Sequence, residues 1–115
     1  MALSRRAQEM AAGIKLQDWS DAPYRADRAG HQRNYEPSFK QSEKILTAEE
    51  TEKLLWNIIW VTGQAFGYED PNFDIYEYAE ACGANIYNKR GGRNGMIGAG
   101  VRLTEGRYQP PGALM

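Results

Sequence analysis

Between Thr47 and Phe66 the apolar positions fall on three neighbouring stripes of a helical wheel. Leu54, Ile58, Val61 and Ala65 make one stripe; Leu55, Ile59, Thr62 and Phe66 make the next; Trp56 and Trp60 add a third. Only the N-terminal turns, Asn57 and Gln64 break the pattern with polar side chains, so the helix needs cover on more than one side. Thr47-Ala48-Glu49-Glu50 has the form of a capping box, in which the threonine hydroxyl and the Glu50 carboxylate each accept from the other residue's backbone N–H. Acids in the first turn suit the helix dipole, Glu49 and Lys53 form a favourable i, i+4 pair, and Gly67 is placed for a left-handed stop.

The pattern elsewhere is sparser. Leu3, Ala7, Met10 and Ile14 share one face of a short amphipathic helix over residues 1–16, which would be marginal alone and must lie against something. Residues 17–46 read as an extended arm: Trp19, Tyr24, Tyr35 and Phe39 stand singly among polar residues, with Pro23 and Pro37 as breakers. Ser20 or Asp21 could cap a short turn there, and the aromatics would pin the arm to a surface.

A second helix is expected over 73–89, with Lys89 and Arg90 at its negative end and Gly91-Gly92 terminating it. The competing reading stops that helix at Cys82 and folds 84–103 into a small hairpin, because Ile97, Ala99, Val101 and Leu103 alternate with period two. The fold class is therefore mainly α: a helical hairpin at 47–66 and 73–89, an N-terminal amphipathic helix and extended arms. The alternative is α+β. In segments, 47–90 is the helical core and 91–115 a Gly/Pro-rich basic tail.

Composition adds little to this picture and charge adds more. At 115 residues, 42% hydrophobic and 25% charged, the chain is one domain's worth of globular protein. The net charge of -1 conceals an asymmetry: residues 1–46 sum to +2 (eight Lys/Arg, six Asp/Glu), 47–82 to -7 (one against eight), and 83–115 to +4 (five against one). An acidic middle between basic ends favours attraction within the chain or head-to-tail between copies. No stretch approaches the ~20 apolar residues needed to cross a bilayer, and the start has no secretory signal pattern. One cysteine, Cys82, leaves no internal disulfide or cysteine-based zinc site. The expectation is a soluble, cytoplasmic chain in a reducing compartment, without membrane, cofactor or metal.

Candidate chemistry is thin. Glu49-x-x-Glu52 and Asp74-x-x-Glu77 could hold magnesium for nucleotide hydrolysis only if all four carboxylates converged, whereas capping and a solvated face account for them. The glycines of 91–100 match neither a P-loop nor a dinucleotide fingerprint. Cys82 and His31 lack a third, orienting residue, so no catalytic pair can be named, and His31 is expected to be solvated.

Two binding patterns remain. Lys89, Arg90 and Arg93 in a glycine-rich run, with Tyr87 able to stack on a base, form a nucleic-acid candidate. Trp56, Trp60, Trp19, Tyr24, Tyr35 and Phe39 form a candidate surface for a protein partner or self-association, since exposed aromatics act as interface anchors. The expected function is a non-enzymatic assembly component or accessory subunit, similar in composition to small structural proteins of viral particles. Alternatives are a small inhibitor covering a partner's site and a nucleic-acid-binding accessory protein. No small-molecule substrate is expected.

Overall fold

A computed structural model describes residues 3–113; the ends of the expected 1–16 and 91–115 segments, residues 1–2 and 114–115, lie outside the described residues. Among the described residues the fold is mainly helical, with one two-stranded antiparallel sheet. Helix α1 spans Arg5–Leu16 and is capped by Ser4, whose hydroxyl accepts from the Ala7 N–H. Its buried face runs through Leu3, Ala7, Ala11 and Ile14; Met10, expected on that face, is exposed.

Helix α2 spans Ala48–Glu69 and begins with the expected capping box: Glu50 N–H donates to Thr47 Oγ1 at 3.1 Å, and Thr47 N–H donates to Glu50 Oε1 at 2.9 Å. Lys53 and Glu49 pair at 3.4 Å. The helix does not stop at Gly67. It ends at Glu69 with Asp70 as its C-cap, because Pro71 forces the preceding residue into the extended region, where Asp70 sits at φ -132° and ψ 109°. Gly67 serves instead as a gap on the helix surface, filled by the Tyr108 ring.

Helix α3 is Ile75–Ala81, far shorter than 73–89. Asp74 caps its start, and the stop is Gly83, which adopts φ +95°. There Gly83 N–H donates to Glu80 O and Ala84 N–H donates to Ala79 O, a Schellman ending. Lys89 and Arg90 are therefore not at a helix terminus. The hairpin expected within 84–103 is absent too: 95–99 is helical (α4, Gly95–Ala99, capped by Asn94), and the β-ladder lies one segment later. Strands β1 (Leu103–Thr104) and β2 (Arg107–Tyr108) pair Leu103 with Tyr108 across a two-residue turn in which Glu105 and Gly106 both have positive φ.

Helix α3 is central, packed by α1, α2 and α4. Tyr78 is fully buried among Phe66 and Phe73, with ring centroids 5.5 and 5.3 Å away, and its hydroxyl donates to Thr62 Oγ1 at 2.7 Å. No described helix is long and apolar enough to cross a membrane.

Candidate partner-binding arm and its buried ionic centre

Residues 17–46 contain no regular element beyond two 3-10 turns, Arg33–Tyr35 and Ser38–Lys40. A loop of this length needs something to order it, since structureless segments longer than ~12–15 residues are uncommon in compact domains. The aromatics are not what pins it. Tyr35 is 87% exposed and Phe39 82%, and Tyr24 and Ile45 are also largely exposed. The expectation of aromatic pinning is corrected at those positions. Trp19 alone packs on the core, its indole N–H donating to Ile14 O at 3.0 Å.

Polar side chains do the ordering. Gln17 Oε1 accepts from the Gly30 and His31 N–H groups, and Asp18 accepts from Ser20 and from the Arg33 N–H. Burial alone would raise the Asp18 carboxyl, but the bonds from Ser20 and Arg33 outweigh it and hold it low. Arg25 donates to Lys40 O and Arg33 to Ser42 O, while Gln41 reaches the Arg33 and Glu36 carbonyls. Each closes a span of the arm that no ladder closes.

At the centre stand Asp21 and His31, the two buried residues of this segment. His31 is 5% exposed, so the expected solvated histidine is a buried one. Its Nε2 lies 2.9 Å from Asp21 Oδ2 and its Nδ1 lies 3.0 Å from Asp27 Oδ2. A ring facing carboxylates at both nitrogens favours the imidazolium: the Asp21 contact raises the His31 pKa, burial opposes it, and Asp27 adds to the rise. The Asp27 carboxyl is held far below its usual range, first by the Arg28 N–H and then by His31. Arg25 Nη2 continues the chain of charges, 3.5 Å from Asp27 and 3.1 Å from Glu36. Sequence reasoning missed this centre, although His31 stands four residues after Asp27 and ten after Asp21.

The tryptophans divide. Trp60 donates to Ile97 O at 2.9 Å, and its ring lies against Gly100, where no Cβ fits; its indole is committed within the chain. Trp56 lies beside it, ring centroids 6.1 Å apart, half-buried and with a buried Nε1 that has no acceptor among the described residues.

The basic run forms a tight turn. Tyr87 bridges Arg93, and Asn88 Oδ1 accepts from the Arg90 and Gly92 N–H groups. Lys89, Arg90 and Tyr87 are exposed, while the Arg93 guanidinium stands over the Tyr76 ring, 4.6 Å from its centroid. The structure thus brings Tyr87 and Arg93 together but gives Arg93 an intramolecular partner.

The four acids Glu49, Glu52, Asp74 and Glu77 form no convergent group: Asp74 caps α3, and the cluster with metal-ligand spacing among the described residues is a different one, Asp27, His31 and Glu36. Cys82 is a buried core residue, and both ring nitrogens of His31 are engaged by Asp21 and Asp27. Comparison with protein-family models, with curated proteins and with solved structures finds no match.

Proposed function

We propose that this chain is a non-enzymatic protein-binding component, an assembly or accessory subunit, whose arm presents aromatic side chains to a protein partner. One observation carries the reading: Tyr35 and Phe39 are 87% and 82% exposed on a loop whose backbone is held by a buried ionic centre. Exposed aromatics on an already ordered backbone suit binding, because burying them contributes contact area while little loop entropy remains to be lost. Tyr24 and Ile45 are further exposed apolar side chains of the same arm, and its exposed Arg28, Lys40 and Lys44 make no ion pairs among the described residues. That mixture fits an acidic partner surface with apolar pockets. A second copy of this chain, with its acidic 47–82 segment, is one such surface.

A photo-crosslinking residue placed at position 39 in the native host tests this. One discrete protein adduct at 39, with none at exposed Gly112, supports the reading. Equal labelling at both positions, or none at either, overturns it. Light scattering of the purified chain at low and high salt then tells a second copy from a different protein.

A second reading rests on a separate observation: Lys89 and Arg90 project from a turn held by Asn88 and make no ion pair among the described residues. Nucleic-acid binding there would weaken steeply with salt, and a Lys89→Ala, Arg90→Ala variant would retard no RNA or DNA at low salt.

A further inference from the structure

We propose that Asp27, His31 and Glu36 form a binding site for one divalent transition-metal ion, with zinc as the probe. One ligand atom from each of the three lies within 4.8 Å of the other two. An imidazole with two carboxylates is a nitrogen and oxygen donor set suited to zinc and its first-row neighbours, and poorly suited to magnesium or calcium, which take oxygen alone.

The surroundings of His31 supply what such a set needs. Its Nε2 is fixed on Asp21, whose carboxylate has no exposed surface, at 2.9 and 3.0 Å. Metal-bound histidines characteristically donate their other ring N–H to a carboxylate, which sets the tautomer and the ring direction. Here that contact leaves Nδ1 directed at Asp27 Oδ2, 3.0 Å away. The proton between those two atoms occupies the place a cation would take. A cavity of about 310 Å³, lined by Asp27, Arg28, Gly30, His31, Gln32, Tyr35 and Glu36, opens at this point and gives an ion an entry path and room for water as a further ligand. Arg25 does not line that cavity, although its Nη2 lies 3.5 Å from the same Asp27 Oδ2 and 3.1 Å from Glu36 Oε1, so an ion would share these carboxylates with it.

Charge agrees with the geometry. Along the directly bonded chain of groups, Asp21, Asp27 and Glu36 contribute -3 and Arg25 +1, leaving -2. A proton on His31 reduces this to -1, whereas a divalent ion on the neutral ring brings it to zero, with the Arg28 side chain a further cation on the cavity wall. The arm also resembles a metal-organised loop in its economy: its buried centre is Asp21 and His31, with no apolar core of its own.

The test uses the full chain after chelator treatment, titrated with zinc by calorimetry in two buffers of different ionisation enthalpy. His31 is the one histidine of the chain, so its imidazole nitrogen resonances report on this site alone. The expected result is a single saturable equivalent, proton release on binding, and a shift of the His31 Nδ1 resonance. Asp21→Asn, which spares the three ligands, should weaken zinc by about 10- to 100-fold. Glu36→Gln leaves the Asp21–His31–Asp27 contacts in place, keeps an amide oxygen toward Arg25, and should weaken zinc at least as much. Absence of saturable binding, binding that leaves the His31 resonances unmoved, or equal affinity in Glu36→Gln and the unaltered chain would each overturn the proposal. Should Asp21→Asn unfold the arm, Glu36→Gln decides alone.

Discussion

His31 Nε2 lies 2.9 Å from Asp21 Oδ2, and this contact joins positions ten residues apart in a segment with no helix or sheet between them. The acid has no exposed surface, so the pair is removed from solvent screening and its loss would be felt. Asp21→Ala leaves a buried imidazolium with one partner. It should destabilise the chain by roughly 2–4 kcal/mol in chemical denaturation. An unchanged midpoint would show that the arm is held by its other bonds.

The same contact sets a pH dependence in metal-free protein. Asp21 and Asp27 face the His31 ring, Asp18 acts on it through space, and Arg25 lies beyond Asp27. The folded pKa of His31 is raised above 6.5, first by Asp21 and against the effect of burial. The stabilisation is therefore fully present below the unfolded pKa and is lost as pH rises through the folded value. Urea midpoints measured upward from pH 6 with chelator present should fall with pH, and Asp21→Asn should flatten the curve. A flat curve for the unaltered chain would sink this account of the ionic centre.

How much of this was legible in the chain depended on the range of the interactions involved. The start of α2 was readable because Thr47 and Glu50 bond within one turn. The end of α3 was not, since Gly83, Gly91 and Gly92 all permit a left-handed stop and packing selects Gly83. The period-two run at 97–103 misled because Asn94 caps a helix there, burying Ile97. The arm's centre joins groups from separate turns, and no periodicity marks such contacts. The polar interruption that deserved most weight was Gln64, set within an apolar stretch of α2.

Gln64 is a clamp for the C-terminal hairpin. Its Nε2 donates to Arg102 O and Gln109 O at 2.9 Å each, and its Oε1 accepts from the Arg102 N–H at 2.8 Å. Every amide function of this 2%-exposed side chain faces the 102–109 backbone. Gln64→Ala strands the Arg102 N–H and the Gln109 carbonyl, at a cost of roughly 2–4 kcal/mol if both stay buried. Hydrogen exchange should show the first loss of protection at 102–109, ahead of α1. Uniform loss across the chain would contradict a local clamp.

Cys82 should be inert in the folded chain. Burial pushes its thiol up to about 12, with the Tyr78 hydroxyl contact pulling the other way. Thiolate is the reactive form, so at pH 8 labelling should run on the order of a thousand-fold slower than for a free thiol. Denaturant should restore the rate, making labelling a clock for opening of the α1–α3 core. Rapid labelling in buffer would mean that this core opens readily.

Three glycines separate close packing from ordinary helix propensity. At Gly100 a Cβ would fall inside the Trp60 ring, and at Gly67 inside the Tyr108 ring. Neither ring can retreat freely, because Trp60 is bonded to Ile97 O and Tyr108 packs edge-on to Phe73 with centroids 5.8 Å apart. Gly100→Ala and Gly67→Ala should each cost about 1–3 kcal/mol, the range for forced repacking. Gly13 lies inside α1 with nothing within 4 Å of its added Cβ, so Gly13→Ala should stabilise by about 0.5–1 kcal/mol. Thermal melts of the three variants give opposite signs if α4 and the hairpin are seated on α2 as described. Neutral melting of Gly100→Ala would mean that Trp60 is free to move, and would return it, with Trp56, to the set of side chains available to a partner.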